Sequence, residues 1–266
     1  MLTSLPSKMR PEHDEHPPVD PDEPSMESGR LILAGLFFAL SVFTVMPNLD
    51  LMVAAHYYSA ERGFFHAHDP FVMALYNWTP WLGRGLILVL GIFALTAPLA
   101  SKLFRRSGRS DLAAKAVGAW RHLAIVSVCC ALLGNGLVIE GVLKNVMGRP
   151  RPVHLTQFGG SDAYQRPFSI GPSPSTRRSF VTSHGAAGFA LMSLGLTCRP
   201  VWRRRWLLIG AVAGGIIGWG RMMQGGHFLS DVIFAFYAVW LSCELIVWLD
   251  KRRGAKQANT PPPRSL

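Results

Sequence analysis

Six apolar runs, each set off by a polar or charged connection, dominate the chain. They cover roughly 30–47, 84–101, 122–143, 183–198, 206–223 and 229–249. A membrane span needs about 20 mostly apolar residues, and the shorter runs reach that length only with flanking Gly, Trp and Tyr. Small residues crowd the fourth run (Gly185, Ala186, Ala187, Gly188) and the fifth (Gly210, Gly214, Gly215, Gly218), the composition of closely packed interior helices. The pattern predicts an all-α, six-span transmembrane helical bundle over residues 29–250. The Pro-rich stretch 1–28 has too few apolar residues to bury a core and is expected to be disordered. No ordinary signal peptide is expected, because the first apolar run starts late and lacks a small-residue cleavage site. Residues 251–266 read as a basic cytoplasmic tail.

Charge sharpens this picture. The 266 residues carry 27 Lys+Arg against 16 Asp+Glu, a formal charge of +11, yet only 16% are charged. Mean hydropathy is +0.23. Residues 1–28 hold seven acids against Lys8 and Arg10, so the rest of the chain carries +16. A basic, apolar body of this kind excludes an ordinary soluble enzyme and a disordered protein. No Walker loop, zinc-type Cys/His spacing or RNA-binding signature is present, and no nucleic-acid partner is expected. Cys129, Cys130, Cys198 and Cys243 lie inside apolar runs and read as buried free thiols, not as a disulfide framework.

Lys/Arg bias in short loops sets the orientation. Segments 102–121 and 199–205, and the tail from Lys251, are strongly basic and are expected in the cytoplasm together with the N-terminus. The connections 48–83 and 144–182 then face the opposite side. The second of these breaks the rule, for it holds Lys144, Arg149, Arg151, Arg166, Arg177 and Arg178. A cationic loop on the outer face points towards function.

Three groups of residues fall at those outward ends. Lys144 stands seven residues before Arg151-Pro152. The run Ser179-Phe180-Val181-Thr182-Ser183-His184 leads into the fourth span. Arg221 precedes His227 by six residues, and Asp231 follows it by four. Arg forks and a Lys point charge neutralise phosphate oxygens. Thr182 or Ser183 can cap the fourth helix, whose N-terminal amides favour an anion. A neutral imidazole can attack phosphorus when a carboxylate fixes its other nitrogen. Helical structure near Phe228 would stack Asp231 one turn from His227, and a second His can protonate the leaving oxygen. The cations supply the electrostatics, so neither metal nor other cofactor is expected.

Taken singly, several of these residues have plainer readings. Lys144 and Arg151 fit ordinary snorkelling side chains, and a His at a helix start is commonly a surface residue. Asp231 is harder to dismiss, since an acid beside an apolar span is costly and usually functional. Glu140 and Glu244 meet the same test but rank lower, for want of a cation at an obvious spacing. His66-Ala67-His68-Asp69 is a weak metal motif. Three such groups on one face set the ensemble apart.

Together these residues resemble the three-part signature of the type 2 phosphatidic acid phosphatases, a six-helix membrane family that shares its core site with vanadium haloperoxidases. The match covers 144–231 directly. The second part departs from it: where the family has Pro-Ser-Gly-His, this chain has Val181-Thr182-Ser183-His184. The resemblance implies that His227 is the nucleophile forming a phosphohistidine, that Asp231 orients it, and that His184 is the acid/base. It implies that Lys144, Arg151, Thr182, Ser183 and Arg221 bind the phosphate. The stretches Gly148–Gly160 and Gln224–Asp231 look like those of bacterial lipid A phosphatases.

The expectation is therefore an integral inner-membrane enzyme with its site facing the periplasm, hydrolysing a lipid phosphomonoester without a metal. Lipid A is the first substrate, followed by phosphatidylglycerol phosphate, phosphatidate or undecaprenyl diphosphate. A phosphotransferase using the same site is an alternative. A non-catalytic lipid-binding or transport protein is a further one, against which both histidines and Asp231 speak, since binding alone needs only the cations. The sequence leaves the oligomeric state open.

Overall fold

The computed structural model describes residues 26–170 and 178–258. The acidic leader up to Ser25, Arg177 and the tail from Asn259 lie outside the described residues. Helix α1 (Met26–Val45) stops just before Pro47, whose ring disfavours a helical residue in front of it. The chain then turns by 84° into the short α2 (Leu49–Ala55). A small antiparallel hairpin follows, β1 (Tyr58–Ser59) pairing with β2 (Gly63–Phe64).

Helix α3 (Pro70–Arg106) opens on Pro70, where a missing N–H costs nothing, and contains Pro80 and Pro98. It begins 14 residues before the apolar run at 84 and takes in much of the segment read as an outer loop. Pro80 looks like a breaker in a sequence, but neighbouring helices compensate for proline within an apolar helix.

The next helical body runs through α4 (Ser110–Lys115), a π-helical stretch (Ala116–Trp120), α5 (Arg121–Ala131), a second π-helical stretch (Leu132–Leu143) and α6 (Lys144–Met147). Gly148, at φ 58°, ends it in a left-handed conformation that suits glycine. Single turns at Pro152–His154 and Thr156–Phe158 lead on to α7 (Ser183–Phe189), which tightens into a 3-10 segment (Ala190–Gly195). Helices α8 (Pro200–Met223) and α9 (Leu229–Ala258) complete the chain. Helix α9 thus carries the first residues of the basic tail.

Among the described residues four helices are long and apolar enough to cross a membrane, or five if the bent α1–α2 pair is one span. The run 183–198 is not among them. Its small residues serve close packing instead of length. A Cβ on Gly188 would stand 2.6 Å from Gly214 Cα, and one on Gly214 would stand 2.1 Å from the Phe189 ring, so α7 lies directly on α8. The core gathers around α9, with Phe43, Phe180, Phe189, Phe234, Val239 and Trp240 buried together. Leu31, Phe38, Leu88, Leu95 and Leu208 point outward, the surface expected of lipid-facing helices. All four cysteines are free, as read from the sequence. Cys130 and Cys243 are buried, Cys198 is partly buried, and Cys129 departs from the expectation by being exposed.

Candidate active site

The end of α6, the starts of α7 and α9, the end of α8 and the first turns of α3 converge at one end of the bundle. His227 lies in the short α8–α9 turn, 2% exposed, and Asp231 sits in the first turn of α9 with no exposed surface. The four-residue spacing puts His227 Nδ1 3.4 Å from Asp231 Oδ2. The same oxygen accepts from Ser179 Oγ at 2.5 Å and from the Phe228 amide at 2.9 Å, while Oδ1 accepts from Arg149 Nη1 at 2.7 Å. Asp231 is therefore an anchored carboxylate facing one nitrogen of the imidazole. Burial lowers the His227 imidazole to about 4, against the opposing pull of Asp231, so the ring is neutral near pH 7. A neutral ring held in this way keeps a lone pair for attack.

A cavity of about 450 Å³ opens here, lined at this end by His227, His184, Lys144, Arg151, Arg221 and Ser183. Seven of the eight residues singled out from the sequence thus come together, counting Asp231 behind His227. Thr182, the eighth, is buried beneath them and caps α7, its Oγ1 accepting from the Gly185 amide at 3.3 Å. His184 stacks on Tyr76 of α3, ring centroids 5.2 Å apart and planes 19° apart. Arg221 covers the same ring at 4.5 Å and donates through Nη1 to Gln224 Oε1. Its buried Nε has no partner among the described residues. A Cβ on Gly226 would lie 2.4 Å from Arg221 Nη2, so a larger residue there would displace the guanidinium. The Arg151 side chain makes no hydrogen bond among the described residues, while its carbonyl accepts from the His154 amide at 3.0 Å. Two arginines with N–H groups to spare, beside a lysine and two histidines, suit a phosphate group.

Four features of the site escaped the sequence reading. Arg149, noted there only as a loop cation, is 1% exposed and stacks on Phe228 at 4.1 Å. Its Nη2 donates to Asp50 Oδ2 at 2.7 Å, and Asp50 also accepts from the Ser230 amide at 2.9 Å. Asp50, in α2, is an acid next to an apolar run, the same signal that marked Asp231. Ser179 was part of a quoted motif without a role. Glu140 corrects an explicit expectation: it has its cation at the ordinary i,i+4 spacing. Its Oε1 accepts from Lys144 Nζ at 3.0 Å and from Ser183 Oγ, and its Oε2 from Arg178 Nη2 at 3.1 Å. Glu244 likewise pairs with Arg203 at 2.7 Å. Ser183, standing where the family signature has glycine, has thus acquired a carboxylate partner. His66 is bound to Asp69 at 2.6 Å.

A buried His–Asp pair under a group of cations, held by long apolar helices, is an arrangement suited to phosphoryl chemistry at a membrane. Residues 124–255 match the PAP2 superfamily. The chain is 33% identical over 227 residues to the lipid A 4'-phosphatase of Francisella tularensis subsp. novicida (strain U112), an alignment covering 84% of this chain and 96% of that protein. The chain belongs to the PAP2 superfamily, the type 2 phosphatidic acid phosphatases. No solved structure matches it.

Proposed function

We propose that this membrane lipid phosphatase hydrolyses a phosphomonoester of a membrane lipid, lipid A foremost, through a covalent phosphohistidine. The observation that carries this is the His227–Asp231 contact, with His227 fronting a cavity lined by Lys144, Arg151 and Arg221. In the first step His227 Nε2 attacks phosphorus as the P–O bond to the lipid breaks, and His184, which takes up a proton once the phosphate's charge offsets the cations around it, gives that proton to the leaving alkoxide oxygen. In the second, His184 takes a proton from water, the water oxygen attacks phosphorus, the P–N bond breaks and inorganic phosphate departs. Asp231 keeps the imidazole in the tautomer with its proton on Nδ1 and stabilises the cation that forms. Lys144, Arg151, Arg221, Ser183 and the Thr182 turn hold the phosphoryl oxygens. The cations meet the charge of the transition state, and no metal is needed.

Support for lipid A comes from the name of the Francisella relative and from the breadth of that alignment. We place the body, 29–250, in the inner membrane as six embedded segments, with α7 and Ala190–Gly195 as a short sixth. The site faces the periplasm, and the acidic leader and the basic 251–266 tail are cytoplasmic.

Phosphate release from a panel of lipid phosphomonoesters, with and without EDTA, tests the reading. Turnover of lipid A that survives EDTA and is blocked by vanadate is the expected result. Activity lost to EDTA and restored by Zn²⁺ or Mg²⁺ overturns the mechanism. A rapid quench that leaves label on Ser, Asp or Cys overturns the histidine intermediate.

A further inference from the structure

Glu140 is an acid beside the phosphate pocket that the two chemical steps do not use. It stands in the π-helical stretch Leu132–Leu143, where an ionisable side chain among apolar residues is costly and usually functional. Its backbone carbonyl accepts from Asn145 Nδ2 at 3.1 Å and from Arg178 Nη2 at 3.3 Å. Its carboxylate accepts from Lys144 Nζ at 3.0 Å, from Ser183 Oγ, and from Arg178 Nη2 at 3.1 Å. Glu140 is thus fixed at both ends. It nevertheless keeps 44% of its side-chain surface exposed and lines the cavity beside Lys144, Ser183 and His184.

An ammonium, a guanidinium and a hydroxyl that converge on one point are the donor set a second phosphate would use. The Glu140 carboxylate already occupies that point, so the donors are spent and an incoming anion would meet a negative charge. Its placement along the reaction matters as well. Ser183 directly precedes His184, the proton donor to the leaving oxygen in the proposed first step, and both side chains line the cavity. Glu140 therefore stands on the side where the leaving group departs. A lipid alcohol leaving from that side is neutral once protonated, whereas the leaving group of a diphosphate is itself a charged phosphate. Ser183 also finds a purpose here, because a glycine in its place could not tie the carboxylate to this wall.

We propose that Glu140 is a specificity-determining residue, a built-in anion that fills the position of a second phosphate and confines the enzyme to phosphomonoesters over diphosphates. The proposal rests on the reading that His227 and the cations take a lipid phosphate, and it names the class of phosphate they take. A diphosphate offers His227 the same terminal phosphorus, but its inner phosphate is driven against the carboxylate. The cost of that like-charge contact falls on the diphosphate alone, which is how a fixed charge discriminates between two related ligands.

The test compares phosphatidate with the diphosphate of the same diacylglycerol, two lipids that differ by one phosphoryl group, on the full-length enzyme in detergent. The unaltered protein is expected to favour the monoester in kcat/KM by about tenfold or more, the scale of one poorly screened like-charge contact. Glu140→Gln should move that ratio towards the diphosphate by a similar factor, whatever it does to the absolute rates. Adding Arg178→Gln to Glu140→Gln should take most of the shift back, because it removes a donor that the second phosphate would use. A purely structural role for Glu140 gives no such reversal. Titration calorimetry with inorganic phosphate and with methylenediphosphonate, which is not hydrolysed, reads the preference without turnover: Glu140→Gln should tighten the diphosphonate much more than the phosphate. A diphosphate used as well as the monoester by the unaltered protein, or a ratio and a binding preference that Glu140→Gln leaves in place, overturns the proposal. If neither lipid is hydrolysed, that failure belongs to the phosphatase reading, and the calorimetric preference still decides this one. Should Glu140→Gln not fold, Ser183→Gly, which unties the carboxylate, is expected to move the ratio in the same direction, and an unmoved ratio there overturns the proposal.

Discussion

Arg149 donates through Nη1 to Oδ1 of Asp231 at 2.7 Å, with the two side chains 1% and 0% exposed. The other arm of the same guanidinium holds Asp50 at 2.7 Å. One planar fork therefore joins α2, the α6–α7 connection and α9, and it fixes the carboxylate that faces His227. Removing one member of a buried ionic cluster leaves charges uncompensated and typically costs about 3–5 kcal/mol. Arg149→Met, which abandons two acids, is expected to lose at least that much in detergent unfolding. Arg149→Lys keeps a charge but not the fork, and should fall between it and the unaltered protein. Full stability in Arg149→Met would show that the cluster is not what fastens these elements.

The buried His227 ring makes the protein's stability depend on acid in a defined direction. Its value in the fold is about 4, below the ordinary 6.5, so the unfolded chain takes up the proton first as pH falls. The contribution is complete above pH 6.5 and is lost progressively as pH drops towards 4, up to about 3 kcal/mol in all. The unfolding midpoint of the unaltered protein should therefore fall over that window more steeply than that of His227→Gln. Parallel pH profiles for the two proteins would refute a neutral buried ring. At neutral pH the same substitution is expected to abolish turnover, because a nucleophile has no partial substitute.

Glu140 holds Lys144, Ser183 and Arg178 while contributing a negative charge beside the phosphate pocket. Glu140→Gln removes the charge and loosens the side chains it positions, and these effects have opposite signs on binding and on rate. Vanadate should bind more tightly, because Lys144 and Arg178 are no longer neutralised. The rate constant kcat should fall by about tenfold, as misplaced cations stabilise the transition state less well. Ser183→Gly, which restores the residue of the family signature, is expected to cost more in the presence of Glu140 than in Glu140→Gln. Additive effects in that double-mutant cycle would show that the two residues do not act together.

How far the sequence could be read follows from the range of each interaction. The His227–Asp231 pair was visible because its partners are four residues apart in one helical start. Lys144, Arg151, His184 and Arg221 were visible because each stands at the boundary of an apolar run. Glu140 and Lys144 also stand four apart, a local spacing that the sequence reading passed over when it set Lys144 beside Arg151. Arg149 and Asp50 are 99 residues apart, and no local spacing announces them. Helix lengths were misread where packing overrides hydropathy. Pro80 does not interrupt α3, and the glycines that let α7 press on α8 accompany a helix too short to span. Close packing was the right inference from those small residues, and among the described residues four or five helices are long and apolar enough to span.

The last prediction concerns which way the bundle stands. Helix α3 brings Tyr76 to the site and ends at Arg106, so the site and the basic turn after α3 occupy opposite ends of one long helix. Ser107 follows that helix, whereas Ser161 lies in the connection between α6 and α7, and both are exposed. The Lys and Arg residues around Ser107 are close to the span ends, where positive charge governs insertion. The cations around Ser161 are in part committed elsewhere, Arg149 to two carboxylates and Arg178 to Glu140, so they weigh less against that bias. Single cysteines at Ser161 and Ser107, in a background lacking the four native thiols, should therefore behave oppositely towards an impermeant reagent in cells with a permeabilised outer membrane. Ser161→Cys is expected to react at once, and Ser107→Cys only after the inner membrane is broken. The reverse pattern would put the His227 pocket in the cytoplasm and require the lipid phosphate to be presented there.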